Sequence, residues 1–167
     1  MKKAQLAALV TLLTVPYGFA QSGGREYHGA GYVFWGPGAA VACCGAVGIA
    51  HLGAGGQGLL YKGLGIGVEG GYIHLLGNMN EGAGLASVNG LFQFGKARAS
   101  RKTVPFLTAG YSLAFDSSGV VHALNFGGGV NYWFRERRAL LLEVRDYVCP
   151  AYPVVHLLTG RIGISFR

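Results

Sequence analysis

The last eight residues read Gly160-Arg161-Ile162-Gly163-Ile164-Ser165-Phe166-Arg167. Ile162, Ile164 and Phe166 fall on every second position, with Arg161, Gly163, Ser165 and Arg167 between them. A period of two is the signature of an extended strand with two unlike faces. The same alternation recurs upstream. Leu140, Leu142 and Val144 oppose Glu143 and Arg145; Phe126, Val130, Tyr132 and Phe134 oppose Asn125, Gly127, Gly129 and Asn131. Val88, Phe92 and Phe94 oppose Ser87, Asn89 and Gln93, and Leu64, Ile66 and Val68 oppose Gly65, Gly67 and Glu69. One face is large and apolar, the other small or polar.

Which face lies inside follows from the charges. If the apolar face were internal, as in a lipocalin-like barrel or a sandwich, the exterior would carry Glu69, Glu143, Arg145 and Arg161, too few charges to wet it. The inverted arrangement, with lipid outside and a polar lumen within, fits a chain that is 51% hydrophobic and only 13% charged. The chain past residue 20 contains no uninterrupted apolar run of the length a transmembrane helix needs, about 20 residues. Its 30 glycines recur every few positions, each unfavourable in a helix interior by about 1 kcal/mol. A closed barrel is the remaining way to cross a bilayer with every backbone group paired. A soluble periplasmic barrel is the competing reading.

Residues 1–20 carry the pattern of a secretory signal peptide. Lys2 and Lys3 precede the apolar stretch Ala4 to Val15, and Gly18-Phe19-Ala20 supplies a small-x-small cleavage site before Gln21. The expected mature domain is 21–167, an eight-stranded antiparallel up-and-down transmembrane barrel. The expected strands are Tyr27 to Trp35, Gly45 to Gly53, Leu59 to His74, Gly84 to Gly95, Val104 to Phe115, Val121 to Phe134, Ala139 to Val148 and Leu157 to Phe166. Gly36-Pro37-Gly38 is expected to break the first strand, and Ala54-Gly55-Gly56 to end the second.

An even strand number puts both termini on one side, the periplasm. Outer loops are then expected at 36–44, 75–83, 116–120 and 149–156, and periplasmic turns at 54–58, 96–103 and 135–138. Lys96, Arg98, Arg101, Lys102, Arg135, Arg137 and Arg138 fall in the turns, and Arg25 and Arg167 near the termini, so nine of the twelve basic residues after position 20 gather at one rim. The outer loops contain no Lys or Arg. This clustering suits membrane headgroups, with Tyr132, Trp133 and Phe134 as an aromatic girdle, and it argues against nucleic-acid binding.

Pro105-Phe106-Leu107-Thr108-Ala109-Gly110-Tyr111, Asn125 to Phe134, Leu142-Glu143-Val144-Arg145-Asp146 and Gly160 to Phe166 together resemble the OmpA/OmpX-like eight-stranded outer-membrane barrel domains. The resemblance is strong over 100–167 and rests on pattern alone over 25–99. It implies outer-membrane lipid as the surrounding partner and insertion by the barrel-assembly machinery. In the family the terminal strand ends on an aromatic assembly signal; here Phe166 is penultimate, with Arg167 after it. The peptidoglycan-anchoring role of longer members is not carried over.

Glu69, Glu143, Arg145 and Arg161 are the candidate lumen network, expected to pair because isolated buried charges are costly. The primary reading is a monomeric structural or surface-interaction barrel, with a narrow porin-like channel as the alternative. A lipid-modifying enzyme is less well supported. His28, His51, His74, His122 and His156 are scattered singly, without metal-ligand spacing, and the nearest nucleophile pairing is His122 with Ser117 or Ser118. No catalytic residue, cofactor or metal is expected. The neighbouring first and fourth outer loops carry Cys43, Cys44 and Cys149, so a bridge from Cys149 to one of the vicinal pair is a candidate in an oxidising compartment.

Overall fold

The computed structural model describes residues 29–43, 45–77, 82–95, 102–150 and 153–167. Eight strands follow one another: β1 (Gly29–Ala42), β2 (Gly45–Tyr61), β3 (Leu64–Leu75), β4 (Gly82–Gln93), β5 (Thr103–Phe115), β6 (Val120–Arg135), β7 (Arg138–Cys149) and β8 (Val155–Phe166). Each pairs antiparallel with the next, and β1 pairs with β8, closing an up-and-down barrel. Closure leaves no strand edge unpaired. The shortest strands have 12 residues, more than the ~9–11 that a tilted strand needs to cross a bilayer.

The alternation read from the sequence places side chains as expected. Ile162, Ile164, Phe166, Val144, Phe126, Val88, Ile66 and Val68 are exposed on the outer wall, whereas Glu69, Asn89, Glu143, Arg145, Arg161 and Ser165 are buried inside. The exposed surface is therefore apolar, the inverse of a soluble barrel.

The first three strands depart from the sequence expectation. β1 does not stop at Gly36-Pro37-Gly38 but runs on to Ala42, and β2 runs through Ala54-Gly55-Gly56 to Tyr61. Leu59, expected to open the third strand, belongs to β2. Two physical causes account for this. Gly53 and Gly55 lie opposite Phe34 and Tyr32, and a Cβ at either position would come within 2.5–2.6 Å of those rings. These glycines make room for aromatic side chains in the lumen; they do not turn the chain. Gly36 and Gly38 pass tightly against the β8 backbone, and Pro37 interrupts only the ladder to β8, which resumes at Gly38↔Thr159.

The true turn between β2 and β3 is Lys62-Gly63. Both residues have positive φ (43° and 91°), the requirement of a two-residue hairpin turn that follows strand twist. The expected turn at 54–58 is thus replaced by a two-residue one, and the expected first outer loop at 36–44 contracts to residues 43 and 44. Other connections lie near their expected places: 76–81, 94–102, 116–119, 136–137 and 150–154.

The two rims differ sharply in charge. Among the described residues, Lys62, Lys102, Arg135, Arg137, Arg138 and Arg167 all lie at the rim that holds Gly29 and Arg167, and no Lys or Arg lies at the opposite rim. Arg167 packs over Trp133 at 3.7 Å from the ring centre and donates from Nε to the Glu136 carbonyl at 3.1 Å. The expected signal peptide and cleavage site, together with Arg25, Lys96, Arg98 and Arg101, lie outside the described residues.

Candidate functional site

The lumen is layered. Toward the rim with the termini, Tyr32, Phe34, Leu91, Phe106 and Leu141 form one apolar cluster, with Leu59 packed against it. Toward the far rim, Ile49, Ile73, Leu85, Ala123, Tyr147 and Cys149 form a second. Between them sit the charges.

Glu143 on β7 and Arg161 on β8 face each other directly in the strand ladder, and Arg145 follows two residues along the same inward face of β7. Glu69 reaches them from β3. Its Oε2 accepts from Arg161 Nη2 at 2.6 Å and from Arg145 Nη1 at 3.3 Å. Glu143 Oε1 accepts from Arg145 Nε at 2.7 Å, with Nη2 at 2.5 Å, and Glu143 Oε2 lies 3.1 Å from Arg161 Nη1. That last contact is an ion pair without hydrogen-bond alignment, since Arg161 Nη1 and Nε have no hydrogen-bond partner among the described residues. All four side chains are at most 3% exposed. Two carboxylates against two guanidiniums give a network with no net charge.

The structure thus brings all four sequence-selected charges together and adds residues that the sequence reading passed over. Tyr32 and Tyr147 donate their hydroxyls to Glu69 at 3.0 and 3.4 Å. The Phe34 ring lies 3.4 Å beneath the Arg161 guanidinium, a desolvated cation–π contact. Asn89, with its amide oriented by the hydrogen-bond network, accepts from Arg145 Nη1 at 3.3 Å and donates to Asn125 at 3.0 Å. Asn125 donates to Ser112 at 2.8 Å, and Ser112 pairs with Ser87 at 2.8 Å. Tyr147 was accessible to the period-two rule, since it continues the inward series Glu143, Arg145. Tyr32 and Phe34 were obscured by the glycines paired with them.

Free space inside is small. A cavity of about 20 Å³ lined by Tyr32, Asn89, Phe106, Glu143 and Arg145 holds about one water molecule. His51 is fully buried between Phe34 and Tyr147, edge-on to both rings at 4.8 and 5.8 Å.

The remaining sequence-selected residues are dispersed. Cys149 is a free thiol buried in the far apolar cluster, Cys43 is exposed beyond the end of β1, and Cys44 lies outside the described residues. The inward direction of Cys149 turns its sulfur toward the lumen. Phe166 faces outward at the end of β8, packed over Gly31. His122 Nδ1 pairs with the Tyr111 hydroxyl, while Asp116, near Ser117 and Ser118, caps its own turn by accepting from the Ser118 and Gly119 amides at 2.6 and 3.1 Å. An acid–histidine pair that the sequence did not suggest lies on the outer wall: His156 Nδ1 and Asp146 Oδ2 are 2.8 Å apart. Among the described residues no group of three or more His, Cys, Asp or Glu side chains could hold a metal ion.

An eight-stranded barrel with an apolar outer wall and a filled polar lumen is the architecture of the small outer-membrane β-barrels. Comparison with solved structures gives the same class. Neisserial surface protein A superposes with a TM-score of 0.67 at 15% identity, over 83% of this chain and 96% of that one. The N-terminal β-barrel domain of Pseudomonas aeruginosa OprF gives 0.61 at 15% identity, over 85% and 100%. The outer membrane protein OprG of P. aeruginosa gives 0.52 at 10% identity, over 86% and 97%. No family model and no curated protein matches the sequence. The fold agrees with the OmpA/OmpX-like resemblance in the sequence.

Proposed function

We propose that this chain is a monomeric structural barrel of the bacterial outer membrane, exported through a Sec-type signal peptide at 1–20 and inserted by the barrel-assembly machinery. Its partner is the lipid around it, and its lumen charges brace the wall; they neither conduct ions nor act on a substrate. The observation that carries this reading is the burial and mutual pairing of Glu69, Glu143, Arg145 and Arg161 between two apolar clusters. A conducting path needs continuous water, and a catalytic carboxylate needs access to substrate; the apolar clusters on either side and the cavity of only about 20 Å³ beside Glu143 and Arg145 favour a brace over both. The basic rim supports an orientation with the termini in the periplasm, where cations and the Trp133 girdle meet phospholipid headgroups.

Planar-bilayer recording tests the reading. The refolded protein is expected to give no stable unitary current, and reproducible steps abolished by Glu69→Ala would replace the brace with a narrow channel. Cell fractionation with heat-modifiable gel migration tests the location, and recovery as a salt-soluble periplasmic protein would refute it.

A further inference from the structure

The β6–β7 hairpin ends on an unfavourable pairing. Beyond Trp133↔Ala139 the ladder shifts by one residue, and Arg135 then stands directly opposite Arg138. Like charges at opposed positions of a ladder destabilise it. Both arginines are exposed, and neither guanidinium has a hydrogen-bond or ion-pair partner among the described residues. The neighbouring Arg167, by contrast, is engaged by the Trp133 ring and the Glu136 carbonyl. Glu136, in the connecting turn, is the one acid at this rim among the described residues, and its carboxylate pairs with neither arginine.

The pair belongs to the outer wall. Ala139 is fully buried on the lumen side and side chains alternate along a strand, so Arg138 points outward. Arg135 shares that face as its ladder partner, and so does Phe166, opposite Arg138 on β8 and 44% exposed. In the next outward row Tyr132, Leu140 and Ile164 stand level across β6, β7 and β8. Two uncompensated guanidiniums therefore mark the edge of an aromatic and aliphatic surface.

We propose that Arg135 and Arg138 together bind the phosphate of a phospholipid of net negative charge, an inference that rests on the outer-membrane reading above. The phosphate accepts from both guanidiniums, whose planar donor sets suit it, and its charge cancels their repulsion across the ladder. The acyl chains then lie along Phe166, Tyr132, Leu140 and Ile164. Charge selects the headgroup: an ammonium group beside the phosphate would face two cations, whereas an uncharged glycerol would not. Position selects a lipid, because a soluble polyanion reaching these arginines would have to displace the lipid that covers the adjoining apolar row.

The test titrates the full mature chain in mild detergent with phosphatidylglycerol or phosphatidylethanolamine of identical acyl chains and reads retention by native mass spectrometry. Arg138→Gln and Lys62→Gln each remove one charge from the same rim; Lys62 lies in the β2–β3 turn, four strands away around the barrel, stacked on Tyr61. Heat-modifiable migration verifies that every variant folds. The wild type is expected to retain phosphatidylglycerol about tenfold better than phosphatidylethanolamine, and Arg138→Gln to weaken that retention about fivefold. Arg135→Gln with Arg138→Gln is expected to bring phosphatidylglycerol down to the level of phosphatidylethanolamine, and Lys62→Gln to leave the preference in place. Equal losses in Arg138→Gln and Lys62→Gln would overturn the site in favour of diffuse attraction to the rim, and so would a wild type without preference. Displacement of phosphatidylglycerol by equimolar polyphosphate would overturn it too, assigning the arginines to a soluble polyanion. Retention is read in detergent and location by fractionation, so failure of the site and failure of the outer-membrane assignment give different results.

Discussion

Replacing Glu69 by Ala removes the acceptor for Arg161 at 2.6 Å, for Arg145 at 3.3 Å and for the two tyrosine hydroxyls at 3.0 and 3.4 Å. The lumen then holds two guanidiniums against one carboxylate, all of them buried. Removing one partner of a buried pair costs about 3–5 kcal/mol, because the remaining charge is left uncompensated. Glu69 serves both arginines, so the upper part of that range applies. At about 1.4 kcal/mol per decade, the folded-to-unfolded ratio falls by roughly a thousandfold. With a denaturant slope of about 1–3 kcal/mol per molar urea, the midpoint drops by more than 1 M. Urea titration of protein refolded into lipid vesicles, followed by heat-modifiable migration, reads this directly. Glu69→Ala combined with Arg161→Met restores neutrality and is expected to recover most of the loss. A single-variant loss below about 1 kcal/mol, or no recovery in the double variant, would refute the view that charge balance holds the lumen together.

Gly53→Ala places a methyl group within 2.5 Å of the Phe34 ring and 2.8 Å of the Gly70 carbonyl oxygen; a loss of about 1–3 kcal/mol is expected, only partly relieved by Phe34→Leu because the backbone contact stays, with the same urea titration as the measure. The Cys149 thiol, buried among Ile49, Ile73 and Tyr147, is expected to resist maleimide in the folded barrel and to react fully after unfolding without reductant. A requirement for reductant would show a bridge. Phe166→Ala leaves the lumen untouched, so it is expected to slow insertion by the assembly machinery while leaving the stability of the refolded protein, read from the urea titration, within about 0.5 kcal/mol of wild type.

The sequence was most readable where large apolar residues alternate with small or charged ones. Strands β5 to β8 lie close to the boundaries that alternation sets, and the inward parity of Glu143, Arg145 and Arg161 follows from it. The first half was harder because glycine has two opposite uses. At Gly63 it permits the positive φ of a turn, and at Gly53 and Gly55 it yields volume to rings on the neighbouring strand. A linear reading sees the same residue in both cases and cannot know which side chains arrive from across the ladder. The charged cluster was legible as a set of inward residues, but its supporting shell was not. Tyr32 lies 37 positions from Glu69 in the chain, and the two meet across Gly55 of β2, which pairs with both.

The lumen network also divides by sequence distance, and that division bears on the rates of folding and unfolding. Glu143 and Arg161 belong to adjacent strands, so a single hairpin of β7 and β8 suffices to bring them together. Glu69 lies 76 positions from Arg145 and 92 from Arg161. Its bonds to the two arginines await the meeting of distant parts of the sheet, when β1 zips onto β8 and the cylinder shuts. Interactions made after the rate-limiting step retard escape from the native state without hastening arrival. Glu69 is placed to act as a latch of that kind, lengthening the lifetime of the inserted protein, whereas Glu143 has the geometry to assist while the wall is still open.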